Sequence, residues 1–520
     1  MAEAVRKAYR AGQDDEQMEP LVMADTSGRP IGRVQDGDYL VFADLRGERE
    51  IELTQSLTEP DFSHFSRPSI CIHVVTMIEY DRTLRVRVAF PPLDRIRDAL
   101  PQVVAYHGLR QAKVVETEKS VHLTYYLNGK SDEVLPGEER IIIPSPHVSD
   151  YGSVPELSAA QVADAALEVI ADPAYRLITV NLANADVIGH SENEWAIRRA
   201  VETVDRQIGR LVDAARTADV AMVITADHGS VERWRYPDGA IDTGHTDSPV
   251  PLMLVESGLC AIRLREGGAL TDVAPTVLHL MGLPKPAAMT GESLIAGPLA
   301  HKPRRVLLLI ADGWGARQET WGNLIAAAET PVMDVLASQW PSTCLVASGL
   351  AAGMPAGSVG NSEVGHLHIG AGRRLPSDRV RIDTAVSDGS FVQNSALRWA
   401  MNGARRDGTR LHLLGIVSFY SSHGSLEHLK ALMQMAQAEK VPQVYVHGML
   451  GRRGERPQSG AQYVQSLEDE AARLGNSRLV SIIGRFWALD RERNWDRIEK
   501  SYRWLVQGRG KAISGVRVGS

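Results

Sequence analysis

Val306-Leu-Leu-Leu-Ile-Ala-Asp312 is an apolar run closed by an aspartate. Two further stretches repeat the arrangement: Leu177-Ile-Thr-Val-Asn-Leu-Ala-Asn-Ala-Asp186 and Val220-Ala-Met-Val-Ile-Thr-Ala-Asp227-His228. A continuous apolar run of this length reads as a buried strand of a parallel sheet. In an open α/β sheet the carboxyl ends of the strands form the ligand site. Carboxylates delivered there by several strands can converge on one cation. A single aspartate after a strand is more often a turn former or a helix cap. Three of them, joined by His190 and His228, point to a metal site.

The bulk composition narrows the class. A chain of 520 residues is long enough for two or more domains. A formal net charge of -7 argues against a general nucleic-acid binder. The cysteines, Cys71, Cys260 and Cys344, are few, odd in number and far apart, as in a reducing compartment. The first residues lack the apolar core of a signal peptide, and no apolar stretch is long enough to span a bilayer. The expectation is a cytoplasmic, monomeric enzyme without membrane or nucleic-acid partners.

Strand-like and helix-like segments alternate through 97–372, for example the strand at 220–225 and the amphipathic stretch 196–215. This is the pattern of a parallel sheet covered by helices. Boundaries are expected at Ala89-Phe-Pro-Pro-Leu93 and Gly370-Ala-Gly-Arg-Arg374. Flanking regions 1–90 and 375–520 remain, the second with strands expected at 411–417, 444–447 and 479–483. The tail 509–520 has little apolar periodicity and reads as loose.

Asp186 and His190 are four residues apart, which on a helical turn puts both on one face. Asp227-His228 adds a second pair, and His245 lies in the loop Thr243-Gly-His-Thr-Asp-Ser-Pro. Mixed Asp and His ligands suit zinc- or manganese-type ions better than calcium. In Gly360-Asn-Ser-Glu-Val-Gly-His366, Ser362 on a glycine-flanked turn reads equally as a nucleophile or as an ordinary helix cap.

These residues resemble the cofactor-independent phosphoglycerate mutases of the alkaline phosphatase superfamily. The resemblance rests on Ile310-Ala-Asp-Gly-Trp-Gly315, Gly360-Asn-Ser-Glu-Val-Gly-His366, Ala183-Asn-Ala-Asp-Val-Ile-Gly-His190, Ile224-Thr-Ala-Asp-His-Gly229 and Thr243-Gly-His-Thr246. The order differs from the family's. The segment at 310–315, near the N-terminus in the family, here follows Met289-Thr-Gly-Glu-Ser-Leu294, which is near the family's C-terminus. The resemblance therefore implies a circularly permuted chain with two α/β domains. One is an alkaline-phosphatase-like metal domain at 97–372. The other is a phosphotransferase domain split across 1–90 and 375–520.

By resemblance, Asp186, His190 and His245 hold one divalent ion, and Asp227, His228, Asp312 and Ser362 hold another. Manganese is expected, with zinc, cobalt and magnesium as alternatives. Ser362 is the implied nucleophile, with Lys119 beside it. Lys119, His423, Arg46, Arg49, Arg453, Arg485 and Arg491 are the implied contacts to a small phosphorylated hydroxy acid. The implied reaction interconverts 3-phosphoglycerate and 2-phosphoglycerate through a phosphoserine, with both domains closing over the substrate.

The transferase half departs from the family. Its usual Ser-Asp-Gly-Gly-Val-His-Ser-His reads Ser418-Phe-Tyr-Ser-Ser-His-Gly-Ser425, its Asp-Gly-Arg-Asp reads Gly451-Arg-Arg-Gly454, and its Asn-Phe-Arg reads Asp44-Leu-Arg46. Phe419, Ser425, Gly451 and Gly454 thus replace polar groups, and the acceptor hydroxyl still needs a general base, for which Asp44 and Glu455 are candidates. Three other readings follow: a diverged paralogue moving a phosphoryl or phosphonoformyl group in phosphonate natural-product metabolism, a phosphomonoesterase, and a metabolite-binding pseudoenzyme. The full set of metal-competent side chains weighs against the last.

Overall fold

The computed structural model describes residues 1–93, 95–148, 150–256, 262–297, 303–418, 423–451 and 458–513. The described chain forms two compact units, Leu93–Ser377 and the pair Met1–Pro92 with Asp378–Ser520. Each is built on an eight-stranded sheet with its own apolar core.

In the unit Leu93–Ser377 the strands lie side by side in the order Gly268–Ala269, Ser342–Val346, Val250–Val255, Val220–Thr225, Arg305–Ala311, Tyr175–Leu182, Arg110–Glu116 and Glu138–Ile143. The run that opened the sequence reading is in the middle. It pairs in parallel with Val220–Thr225 on one side and Tyr175–Leu182 on the other. Every residue of Val220–Thr225 is buried, as a strand covered on both faces requires. Val250–Val255 pairs antiparallel to both of its neighbours, so the sheet is mixed. The stretch read as amphipathic is the helix Glu194–Thr217. It is capped by Asn193, whose side chain accepts from Ala196 N at 3.1 Å, and buries Ile197, Val201, Val204, Ile208 and Leu211 along one stripe.

Because the three central strands are parallel and in register, their carboxyl ends align. Ala311 pairs with Leu182, and Ile310 with Thr225. Asp312 and Asp227 therefore emerge side by side. The third run differs from its reading: its strand ends at Leu182, and Asp186 lies on the short helix Asn184–Gly189 that follows. That turn of helix brings Asp186 back over the strand ends.

In the other unit the order is Lys511–Ile513, Leu21–Met23, Ser477–Gly484, Val444–Leu450, Leu411–Ile416, Tyr39–Phe42, His73–Ile78 and Arg87–Phe90. All neighbours are parallel except Leu21–Met23 against Ser477–Gly484. The tail read as loose contributes an edge strand, Lys511–Ile513, paired with Leu21–Met23. Strands from both ends of the sequence thus build one sheet. Among the described residues no helix is long and apolar enough to cross a membrane.

Candidate metal and nucleophile site

Ser362 is the first residue of the helix Ser362–Ala371, and the cap is its neighbour Asn361, whose side chain accepts from Val364 N at 2.9 Å. Its hydroxyl is therefore not consumed in capping. Oγ accepts from Lys119 Nζ at 2.7 Å, donates to Asp312 Oδ1 at 3.3 Å and lies 3.0 Å from His228 Nε2. Lys119 sits on a single turn after the strand Arg110–Glu116 and is buried. Its ammonium also donates to Asp186 Oδ2 at 2.6 Å and Asp312 Oδ1 at 2.8 Å.

Close backbone approach makes this possible. Gly313 has φ +79°, and a Cβ there would stand 2.8 Å from the Asp186 backbone. A Cβ on Gly365 would stand 2.4 Å from Asp227 O, so the Ser362 helix also needs a glycine where it crosses the Asp227 turn.

Three imidazoles converge on one carboxylate oxygen. The Nε2 atoms of His245, His190 and His228 lie 3.1, 3.6 and 3.6 Å from Asp186 Oδ1. Each ring donates its other nitrogen to a backbone carbonyl: His190 Nδ1 to Thr243 O at 2.8 Å, His245 Nδ1 to Gly360 O at 3.0 Å and His228 Nδ1 to Gly229 O at 3.2 Å. In the neutral ring this arrangement leaves Nε2 as the lone-pair atom, the usual device for orienting a metal-binding histidine. His190 Nε2 and His245 Nε2 then face each other at 3.3 Å. Two lone pairs at that distance repel unless a cation lies with them. Asp186 Oδ1 and Asp227 Oδ2 are buried and accept no hydrogen bond among the described residues. Orphaned acceptors of this kind are costly without a cation. The donor set therefore fits a divalent metal, and three groups have the spacing to hold one: Asp186 with His190 and His245, Asp186 with His228 and Asp312, and Asp227 with Asp312 and His366.

The electrostatics agree. Burial alone would raise the Asp186 carboxyl, but Lys119, His228 and His245 hold it well below the usual range. Burial likewise opposes Lys119 and His228, yet Asp312, Asp186 and Asp227 raise both, His228 to about 10. The pocket is a sink for positive charge.

The structure thus brings together all the residues singled out around the strand ends: Asp186, His190, Asp227, His228, His245, Asp312, Ser362 and Lys119. Two more were missed. His366 was quoted in the Ser362 segment without a role. Four residues on from Ser362, its Nδ1 donates back to Ser362 O at 2.9 Å and lies 3.1 Å from Asp227 Oδ2. Asn181 donates to Asp312 Oδ2 at 2.8 Å and lies 3.0 Å from His366 Nε2. The available signal was an amide side chain near the end of a mostly apolar strand, beside the buried Thr179.

The second group of candidates gathers within the other unit. Arg491 and Arg46 approach the same carboxylate oxygen, Glu48 Oε2, at 2.8 and 3.5 Å. Arg49 donates to Leu489 O at 3.3 Å, and Arg485, which is buried, to Glu16 Oε1 at 3.0 Å. His423 Nδ1 lies 3.0 Å from Glu50 Oε1. Burial lowers the His423 ring to about 3, reinforced by the charges of Arg485, Arg46 and Arg49. Arg453, Phe419, Gly454 and Glu455 lie outside the described residues.

Comparison with known proteins places the chain among relatives. The Metalloenzyme superfamily profile matches residues 8–285, more than half of the chain. A second profile, the BPG-independent PGAM N-terminus, matches residues 382–517, at the other end of this chain. The 2,3-bisphosphoglycerate-independent phosphoglycerate mutase of Thermomicrobium roseum is 43% identical over 304 residues, 57% of this chain and 58% of that protein. The enzyme of the same name from Moorella thermoacetica is 43% identical over 296 residues, 56% and 57% of the two chains. The chain spans about half the length of the curated relatives it matches. A crystal structure of Leishmania mexicana phosphoglycerate mutase at low cobalt concentration is 28% identical, with a TM-score of 0.38 over 52% of this chain and 53% of that one. With the matched profile covering most of its length and a buried Asp–His cluster at the strand ends, the chain belongs to the Metalloenzyme superfamily.

Proposed function

We propose that this chain interconverts 3-phosphoglycerate and 2-phosphoglycerate through a phosphoserine at Ser362. The observation that carries this reading is the position of Ser362 Oγ, held by Lys119 and Asp312 inside the buried Asp–His cluster. Asp186, His190 and His245 would hold one divalent ion, and Asp227, His228, Asp312 and Ser362 a second, with His366 beside the latter; manganese is the expected metal. When bound, such ions supply charge neutralisation for phosphoryl oxygens and lower the pKa of the Ser362 hydroxyl.

Ser362 Oγ attacks phosphorus, and the bond from phosphorus to the substrate oxygen breaks. Lys119 Nζ, already a donor to Oγ, keeps a positive charge at the point of attack. The glycerate's other hydroxyl then attacks the phosphoserine, the bond from phosphorus to Ser362 Oγ breaks, and the proton that this hydroxyl loses is matched by the one Ser362 regains. Arg46, Arg49, Arg453, Arg485 and Arg491 are the proposed contacts to the substrate's carboxylate and phosphate, for which guanidinium groups are suited. We further propose that the two profile matches reflect a circular permutation, and that the protein works as a cytoplasmic monomer.

A second reading, transfer to a related hydroxy acid or to water, is favoured by Phe419 and Gly454, which cannot supply the carboxylates usual at those positions. Incubating manganese-supplemented protein with 3-phosphoglycerate and following ³¹P NMR decides between them. 2-Phosphoglycerate is the expected product. Free phosphate alone would make the protein a phosphatase, and no reaction with metal bound would send the search to other donors.

A further inference from the structure

Past Asp227 and His228 the chain runs Gly229-Ser-Val-Glu232 and adds an acid that the phosphoserine chemistry does not use. Glu232 lies on the single turn Val231–Arg233 and is fully buried. An enclosed glutamate is uncommon, and its charge is costly unless both oxygens are well bonded. Here both are taken by uncharged donors. Oε2 accepts from Ser230 N at 2.8 Å, and Oε1 accepts from the hydroxyl of Thr246, which is also buried.

Each donor belongs to a segment that carries candidate metal ligands. Ser230 closes the turn that begins at Asp227 and His228. Its Oγ would stand 2.8 Å from a Cβ on Gly189, the neighbour of His190. Thr246 directly follows His245, and its N–H donates to Gly229 O at 3.0 Å, the carbonyl that also orients the His228 ring. A third segment, Asp312-Gly-Trp-Gly315, closes on the same carboxylate: a Cβ on Gly315 would collide with Glu232 Cδ. A Cβ on Gly229 would stand 2.7 Å from Glu232 Oε1. Two glycines thus make room for one carboxylate among three ligand-bearing segments.

His245 needs such a hold more than the other ligands do. Asp227 and Asp312 leave the ends of central strands, whereas His245 ends the stretch 233–245, in which only Trp234 is buried. Packing therefore does little to fix where His245 lands. The ion pair of Arg233 Nη1 with Asp247 Oδ1, at 2.6 Å, spans the same two segments, but both side chains are substantially exposed and such a pair contributes little.

We propose that Glu232 is a positioning residue whose carboxylate clamps the His245–Thr246 segment onto the turn Asp227–Ser230, fixing His245 for a divalent cation shared with Asp186 and His190. The inference rests on the metal-centre reading above. A carboxylate suits the place because two donors converge on it and it offers acceptors alone. Partners that orient ligands in this way commonly govern metal affinity by about 10–100-fold.

The test is a titration of the whole, chelator-stripped chain with Mn²⁺, free ion being read by electron paramagnetic resonance and folding by circular dichroism. Thr246→Val, which removes only the donor to Oε1, and Glu232→Met, which removes both acceptors, are each expected to weaken Mn²⁺ binding at least about tenfold. Thr246→Ser keeps the hydroxyl and should stay within about threefold of wild type. Leu211→Ala, a truncation in the core stripe of the helix Glu194–Thr217, should lower Tm without moving Mn²⁺ affinity. If Glu232→Met does not fold, Thr246→Val decides alone. Wild-type affinity in a folded Thr246→Val would overturn the proposal. So would an equal loss of affinity in Leu211→Ala, since Glu232 would then act through stability alone. A wild type that binds no Mn²⁺ would bring down the metal-centre reading and the clamp with it, a failure visible before any variant is compared.

Discussion

Lys119 ties the carboxylates of the cluster to its serine. Its ammonium contacts Asp186, Asp312 and Ser362, and without it two buried carboxylates lose their partner. Breaking a buried pair from one side costs about 3–5 kcal/mol. Lys119→Met is therefore expected to lower Tm strongly in a chelator and much less in millimolar Mn²⁺, while reducing turnover in both. Thermal melts with and without metal check this, and a penalty indifferent to metal would contradict the cluster's assignment as a cation site. At this scale the sequence was informative where side chains have one plausible use. Asp186, Asp227, Asp312 and their histidines carry chemistry wherever they meet. His366 and Asn181 were opaque, because their roles depend on which way a helix and a strand face. The arginines carried no signal of their own, since arginine is an ordinary surface residue. Only the resemblance singled them out.

Among elements, the long buried strands were the most legible, because an apolar run covered on both faces has little else to be. The edge strand Lys511–Ile513 was not, since two of its three residues are exposed and the third is partly so, leaving no pattern to read. The turn at Gly313 yields a prediction at this scale. Gly313→Ala places a Cβ against the Asp186 backbone at a positive φ. It should displace Asp186 and reduce bound divalent metal, measured by elemental analysis after desalting, with secondary structure by circular dichroism retained. The central strands of the other unit yield another. His412, His447 and Ser481, on three adjacent strands, form a buried chain from Asp38: Asp38 Oδ2 to His412 Nε2 3.0 Å, His412 Nδ1 to His447 Nε2 2.9 Å, His447 Nδ1 to Ser481 Oγ 2.8 Å. Burial lowers both rings, His447 well below its ordinary value with His412 beside it. The folded state therefore stays neutral where the unfolded chain binds protons. Stability is complete above about pH 6.5 and is lost as pH falls below it, by up to about 1.4 kcal/mol per pH unit for each ring. Burial opposes it, but His412 and Arg410 hold Asp38 below its usual range, so its own loss comes lower, beneath about pH 4. Melts from pH 8 to 5 should show the fall, and His447→Gln should flatten it.

At the scale of the whole molecule, the chain's order is its distinguishing feature. The Metalloenzyme profile precedes one described as an N-terminus, and strands from both ends of the sequence share a sheet. The resemblance made this order legible because its motifs are long and independent. Without it, length indicated only two or more domains, and the alternation of strand-like and helix-like segments only an α/β class. The proposed reaction is legible in part: the metal and nucleophile cluster was readable from the sequence, whereas the acceptor side rests on arginines that only the resemblance singled out. The central claim is that phosphate passes through Ser362. Rapid acid quench of manganese-loaded protein with 3-phosphoglycerate, followed by peptide mass spectrometry, tests it most directly. The account predicts a mass increase of one phosphoryl group on the peptide containing Ser362, formed within a single turnover, and none in a folded Ser362→Ala variant that has lost all turnover. Product formation by wild type without that modification, or substantial turnover by Ser362→Ala, would contradict it.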